Sequence, residues 1–276
     1  MMAAMHDAPD SVRTRTMVRA YTKTRRARDR TVQAVMGLFD GLWLGVLDRE
    51  ALYRIDQSYY DRKRKYVDDE YNARGLHDWE QALVSRYFAA GSRIAVTGAG
   101  GGREVYALLE QGYDAVGFEP NPNLVAAGNE FLRRRGHEPR LHLIGRDAFP
   151  ADSGRWDGVL VGWGSYMLIP GRSRRLAFLR DARHCLAEGS HLVVTFFVRP
   201  PGEPYFRHVQ RIGAPLRRLR GIEEVELGDA LVPNFAHHFV EETIAEELRG
   251  AAFELVEYQP EPYGQAVGRA IGHIEG

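Results

Sequence analysis

Cysteine is almost missing from this 276-residue chain. The single thiol, Cys185, excludes an intramolecular disulfide and any cysteine-built zinc cluster, and such sparing use suits a reducing, cytoplasmic setting. Cys185 falls among the apolar positions of a helical pattern, which predicts a buried structural thiol rather than a nucleophile. Long hydrophobic runs are missing too. No stretch approaches the ~18 apolar residues of a membrane span, and no secretory signal is apparent in the first residues. Neither sign of charge is in excess. Lys plus Arg number 37, as do Asp plus Glu, so the chain as a whole has no bias toward nucleic acid. What is present, 44% hydrophobic residues, is enough for a proper core. The length suits one domain with an appendage.

The most informative stretch is residues 93–119. An apolar run, Ile94 to Thr97, ends in the cluster Gly98-Ala99-Gly100-Gly101-Gly102. A helix pattern follows, and a second apolar run, Ala115 to Phe118, ends in Glu119 and Pro120. Strand, glycine turn, helix, strand and acid make a unit suited to a nucleoside cofactor. Glycines let the backbone turn tightly and approach a ligand, and the acid can accept hydrogen bonds from ribose hydroxyls. The dinucleotide fingerprint G-x-G-x-x-G asks for glycine where Arg103 stands. Gly98, Gly100 and Gly102 give G-x-G-x-G instead.

That form resembles the first motif of class I S-adenosylmethionine (SAM) methyltransferases of the small-molecule type. Three later segments extend the resemblance over roughly residues 90–198. Leu141 to Ile144 followed by Asp147 and Ala148 matches the family's third strand and adenine-facing acid. Trp156 to Trp163 is similar to its fourth strand, with Gly162 and Trp163 at the active-site mouth. Leu186 to Val194 is similar to the passage into the fifth strand, with Ser190 where a glycine is usual. The resemblance implies an α/β fold: a Rossmann-like seven-stranded sheet, mostly parallel, with a C-terminal antiparallel hairpin (253–258 and 265–270) and an N-terminal helical cap. The implied SAM-binding residues are Gly98, Ala99, Gly100, Gly102, Glu119, Pro120, Asp147, Ala148, Gly162 and Trp163. Tyr60 joins them from the cap, with Tyr59 and Tyr66 as weaker candidates. The implied reaction is in-line methyl transfer to an O, N or C atom of a small molecule, a specialised metabolite for instance, leaving S-adenosylhomocysteine.

Two variants of the family lose support. The Asn/Asp-Pro-Pro-Tyr/Phe motif of nucleic-acid base methylation is replaced by Gly162-Trp163-Gly164-Ser165. No acid occurs between Asp157 and Asp181, so no metal is expected. Trp163 and Tyr166 are candidate aromatic walls beside the sulfonium. Candidate catalytic residues are Tyr166 and either His237 or His238, whose ordinary pKa suits a general base. Structural roles are equally open to the histidines.

Outside this core, residues 1–30 are expected to be a disordered leader, residues 31–90 a helical cap and residues 91–276 the SAM-binding domain, interrupted at 199–238. Residues 11–30 carry eight Lys or Arg and one acid, Asp29; this basic arm leaves an RNA methyltransferase as an alternative. So do a non-methylating or non-catalytic SAM-binding protein of the same fold and, more remotely, a nicotinamide oxidoreductase. Val35, Leu38, Phe39, Leu42, Trp43 and Val46 form one apolar helical face, expected in the core or at a homodimer interface. The proline-bearing segment 199–238 is expected to be a loop or small lid. Its Arg217, Arg218 and Arg220 suit a solvated face or an anionic substrate.

Overall fold

The computed structural model describes residues 12–272. Its centre is a seven-stranded sheet in the order β3-β2-β1-β4-β5-β9-β8. The strands are β1 (Arg93–Thr97), β2 (Asp114–Glu119), β3 (Leu141–Leu143), β4 (Trp156–Val161), β5 (Leu186–Phe196), β8 (Phe253–Gln259) and β9 (Gly264–Ala270). The first five run parallel, and β9 pairs antiparallel with both β5 and β8. The parallel strands are joined by helices because a parallel pair needs a crossover. These are α5 (Arg103–Glu110), α6 (Pro122–Arg134) and α7 (Arg172–Cys185), with α9 (Glu241–Arg249) before the terminal hairpin.

Both faces of the sheet are covered, and the alternation of side chains shows it. Ile94, Val96, Leu160 and Val193 enter one core with α4 (Asp78–Tyr87), α5 and α6. Ala95, Val159, Val161 and Leu192 enter the other, with Phe178 and Leu179 of α7 and Ile244 and Leu248 of α9. Cys185 is buried there, as expected. Strand order reverses between β1 and β4, which opens a crevice at the C-terminal ends of β1, β2 and β4.

The N-terminal region departs from expectation. Residues 12–46 are a single 35-residue helix, α1 (Val12–Val46), so within the described residues the supposed leader is helical. Residues 1–11 lie outside the described residues. The interruption at 199–238 is not a plain loop: it holds α8 (Pro204–Leu219) and a two-stranded hairpin, β6 (Asp229–Leu231) with β7 (Phe235–His237). Together with α1 and α2 (Arg49–Asp61) these build a third core around Leu44, Leu52, Phe206 and Val209. No described helix is long and apolar enough to cross a membrane.

Helix α1 meets α8 through glycine, not through its apolar stripe. Gly37, Gly41 and Gly45 recur every fourth residue and so share one face. A Cβ at Gly41 would lie 2.7 Å from the Val209 carbonyl oxygen, and one at Gly37 2.8 Å from that of Tyr205. The backbones therefore touch where any side chain would part them. The opposite stripe, Val35, Leu38, Phe39, Leu42, Trp43 and Val46, is exposed. Two arginines at the C-terminal end of α8 serve this junction. Arg217 donates to the carbonyls of Leu44 (2.6 Å) and Leu47 (2.9 Å), and Arg220 to that of Val46. They satisfy the open carbonyls at the C-terminus of α1, while Arg218 pairs with Glu224 at the surface. Gly41→Leu is expected to cost about 1–3 kcal/mol by overpacking, read as a lowered denaturation midpoint; an unchanged midpoint would contradict the close crossing.

Candidate cofactor site

The crevice is an open cleft of about 1070 Å³, solvent at its mouth included. Its floor is the glycine turn after β1. Gly100 sits at φ +53°, and a Cβ there would meet nothing within 4 Å. The turn thus leaves open space where other residues would project a side chain. The backbone N–H of Gly100 donates to Oε2 of Glu119 at 2.9 Å, and that of Asn121 to Oε1 at 2.9 Å. These bonds orient the Glu119 carboxylate at the end of β2. Burial pushes its pKa up to about 7 despite the two N–H donors.

Helix α2 forms the roof. Its N-cap is Asp48, which accepts from the Ala51 N–H, and it turns Tyr53, Asp56 and Tyr60 toward the crevice side. Tyr53 donates a short hydrogen bond to Asp147, and Arg146 pairs with Asp56. Asp147 itself has a positive φ of 59°, a conformation unusual for a residue other than glycine. Burial raises its carboxyl above the ordinary range, against the lowering pull of the Tyr53 hydrogen bond. After α2, the chain through Tyr66 and the short helix α3 (Asp69–Ala73) brings Tyr66, Tyr71 and Asn72 over the glycines. Ile144, Leu168, Ile169 and Phe178 give the far end apolar walls.

The other end carries buried charge. Arg103 reaches both oxygens of Glu80 (2.6 and 2.8 Å) and Oε1 of Glu104 (2.6 Å). Burial raises the Glu104 carboxyl, with Glu80 adding to the rise against the pull of Arg103. Two carboxylates share one guanidinium here, an arrangement short of positive charge. Asn72 Oδ1 and Thr97 Oγ1 are buried without partners, and both residues line the crevice. Buried polar atoms in this state await a ligand or water.

Of the residues singled out from sequence, Gly98, Ala99, Gly100, Glu119, Pro120, Asp147, Ala148, Trp163 and Tyr60 line the crevice. Gly102 and Gly162 do not. Gly102 is the N-cap of α5, and at Gly162 a Cβ would lie 2.4 Å from the Gly98 carbonyl oxygen, so its bareness lets the two loops close. The catalytic candidates stand outside. Tyr166 is wholly buried and donates to Glu247 at 2.6 Å. It belongs to a structural network because the turn after β4 carries it under the sheet. His237 is buried with Nδ1 2.7 Å from Asp229. His238 packs against Phe197 and Phe206; burial pushes its pKa down to about 4. Neither histidine lines the crevice. Glu226, Asp229 and His237 come close together, but Asp229 bonds His237 and the Glu226 N–H, and Glu226 bonds Arg172 and Arg175. Sequence reasoning missed Asp56, Asn72, Arg103, Glu104 and Arg146. Only Arg103 and Glu104 gave a signal, by adjoining the glycine turn.

No family model matches the chain, and no curated protein matches it. Solved structures do. A SAM-dependent methyltransferase from Methanosarcina mazei superposes with a TM-score of 0.56 at 16% identity, covering 72% of this chain and 100% of that one. This chain has the class I methyltransferase fold. The same fold relates it to the 1,6-didemethyltoxoflavin-N1-methyltransferase of Burkholderia thailandensis, solved with S-adenosylhomocysteine bound (TM-score 0.54, 16% identity, 82% of this chain and 92% of that one). It relates it also to the [4+2]-cyclase SpnF (TM-score 0.53, 16% identity, 70% and 81%). Within this methyltransferase fold, the crevice occupies the place where strand order reverses, and helix α2 covers it with Asp56 and Tyr60. Tyr166→Phe is expected to lower stability by about 1–3 kcal/mol, the cost of an unmet buried partner, while leaving ligand affinity at the crevice unchanged. Loss of affinity in calorimetry would return Tyr166 to the site.

Proposed function

We propose that this protein is a SAM-dependent methyltransferase acting on a small molecule. The observation that carries the reading is the Glu119 carboxylate, fixed by two backbone N–H groups beside an open glycine turn at the strand-order reversal. The residues fit the cofactor. Glu119 suits a ribose diol, Asp147 and Ala148 the polar edge of adenine, and Ile144, Leu168 and Phe178 its faces. Arg103, Glu80 and Glu104 favour a cationic ligand end, because added positive charge offsets the second carboxylate. Bound there, SAM supplies a methyl group already activated on a sulfonium for transfer to an O, N or C atom.

The protein's own part is then alignment and exclusion of water. Tyr60, Tyr66 and Asn72 cover the turn, and Trp163 stands at the acceptor side. Trp163 lies edge-on to Tyr263 (ring centroids 5.0 Å) and Phe197 (6.1 Å). That aromatic wall favours a planar acceptor. With no histidine lining the crevice, the acceptor's proton leaves to a carboxylate, a tyrosine or solvent.

The cyclase neighbour favours a second reading, a non-methylating enzyme of the same fold. Calorimetric titration of the protein with S-adenosylhomocysteine, with NAD in a parallel cell, tests the cofactor. Micromolar binding of S-adenosylhomocysteine alone is expected; binding of NAD alone, or of neither, overturns the assignment. Transfer of label from methyl-labelled SAM to a panel of planar acceptors separates the two readings.

A further inference from the structure

The stripe that α1 leaves uncovered is too long and too regular for an isolated solvent face. Val32, Val35, Met36, Phe39, Leu42, Trp43 and Val46 are each between 44% and 60% exposed. They lie on one side of the helix, opposite the glycines that pack on α8. Their spacing alternates three and four residues, the pattern of a helix–helix seam. Contiguous apolar surface of this kind marks an interaction site.

We propose that α1 pairs antiparallel with α1 of a second copy of this chain, about a two-fold axis at Phe39. The stripe is self-complementary about that residue. Reversing it sets Val32 against Val46, Val35 against Trp43, Met36 against Leu42 and Phe39 against itself, so each of these seven positions meets an apolar one. An isologous interface needs this property. Charge selects the direction. The eight Lys and Arg of residues 13–30 would lie side by side in a parallel pair, whereas the antiparallel pair sends them to opposite ends. Area agrees: the exposed part of the seven side chains amounts to roughly 600 Å² per copy, so roughly 1,200 Å² in the pair, which reaches the range of stable interfaces. A lipid surface is the weaker occupant. Helices that lie on membranes flank their apolar face with cations, and residues 31–46 contain no Lys or Arg.

Sedimentation of the full chain at micromolar concentration tests the pairing. A species of twice the 31.2 kDa chain mass is expected, with no co-sedimentation on phosphatidylserine vesicles. The double variant Phe39→Glu, Leu42→Glu should be monomeric, its dimer dissociation constant raised at least a hundredfold, with unchanged circular dichroism and ligand affinity. Orientation is read from single cysteines. A short bismaleimide should join Phe39→Cys chains and leave Val32→Cys chains apart, because position 32 meets 46, not 32. Wild-type protein, with Cys185 buried, gives no product. A monomeric wild type, a dimer indifferent to the double variant, vesicle binding in place of dimerisation, or cross-linking at position 32 but not at 39 would each overturn the proposal.

Discussion

Glu247→Gln should cost about 3–5 kcal/mol of folding stability, the scale for breaking a buried ion pair. Arg175 is wholly buried in α7, and its guanidinium meets Glu247 of α9 at 2.7, 3.0 and 3.1 Å. The remaining donors reach Glu226 at 2.8 Å and the Ile169 carbonyl at 3.3 Å. Tyr166 adds its hydroxyl to the same carboxylate. Four chain segments thus converge on one charge pair behind the sheet. Glutamine keeps the shape and removes the charge, leaving Arg175 with only the partly exposed Glu226 as counter-ion. The loss should appear as a lower denaturant midpoint at unchanged slope. The pair Arg175→Met, Glu247→Leu should recover part of it, because the wholly buried charges are gone while the Tyr166 hydroxyl still loses its acceptor. An unchanged midpoint in Glu247→Gln would mean that the network carries little.

Glu119 sets the second large effect. Glu119→Ala should weaken S-adenosylhomocysteine binding at least about a hundredfold, since two hydrogen bonds from ribose to a charged acceptor contribute roughly 1.5–3 kcal/mol each. The same group predicts a pH profile. Its carboxyl titrates near pH 7 because it is buried. A ribose diol that donates to it favours the ionised form, so binding releases a proton and affinity rises with pH. Wild-type affinity should be about tenfold weaker at pH 6 than on its plateau above pH 8, the consequence of a one-unit step below the pKa. Glu119→Gln should be weak and flat over that range. A flat wild-type profile would show that the carboxylate does not face the ligand.

How much of this was legible in the chain follows from the range of the interactions. Strands β1 and β4, the glycine turn and Glu119 could be read because each is a local pattern: an apolar run, a turn chemistry, an acid at a fixed offset. Parallel order followed from alternation with helices. The roof of the crevice was only half legible. Tyr60, named from the sequence, lines the crevice, but Asp56 and Arg146 are far apart in sequence and come together only by pairing at its edge. Tyr166, His237 and His238, also named from the sequence, stand outside the crevice. Each has the right chemistry at the right place in the chain, yet Tyr166 is turned under the sheet and the histidines sit in and behind the hairpin of β6 and β7.

The N-terminal helix shows the division most plainly. Its periodicity belongs to the sequence, and so do the two stripes it carries, one of glycine and one of large apolar residues. By hydrophobicity alone the large residues belong inside. Which stripe is buried was decided by α8, whose backbone could approach only where side chains were absent. Local pattern therefore determined the elements, the sheet and the acid that suits a nucleoside. Tertiary packing decided which charges meet, which aromatic rings reach the crevice, and which face of α1 remains open to another molecule.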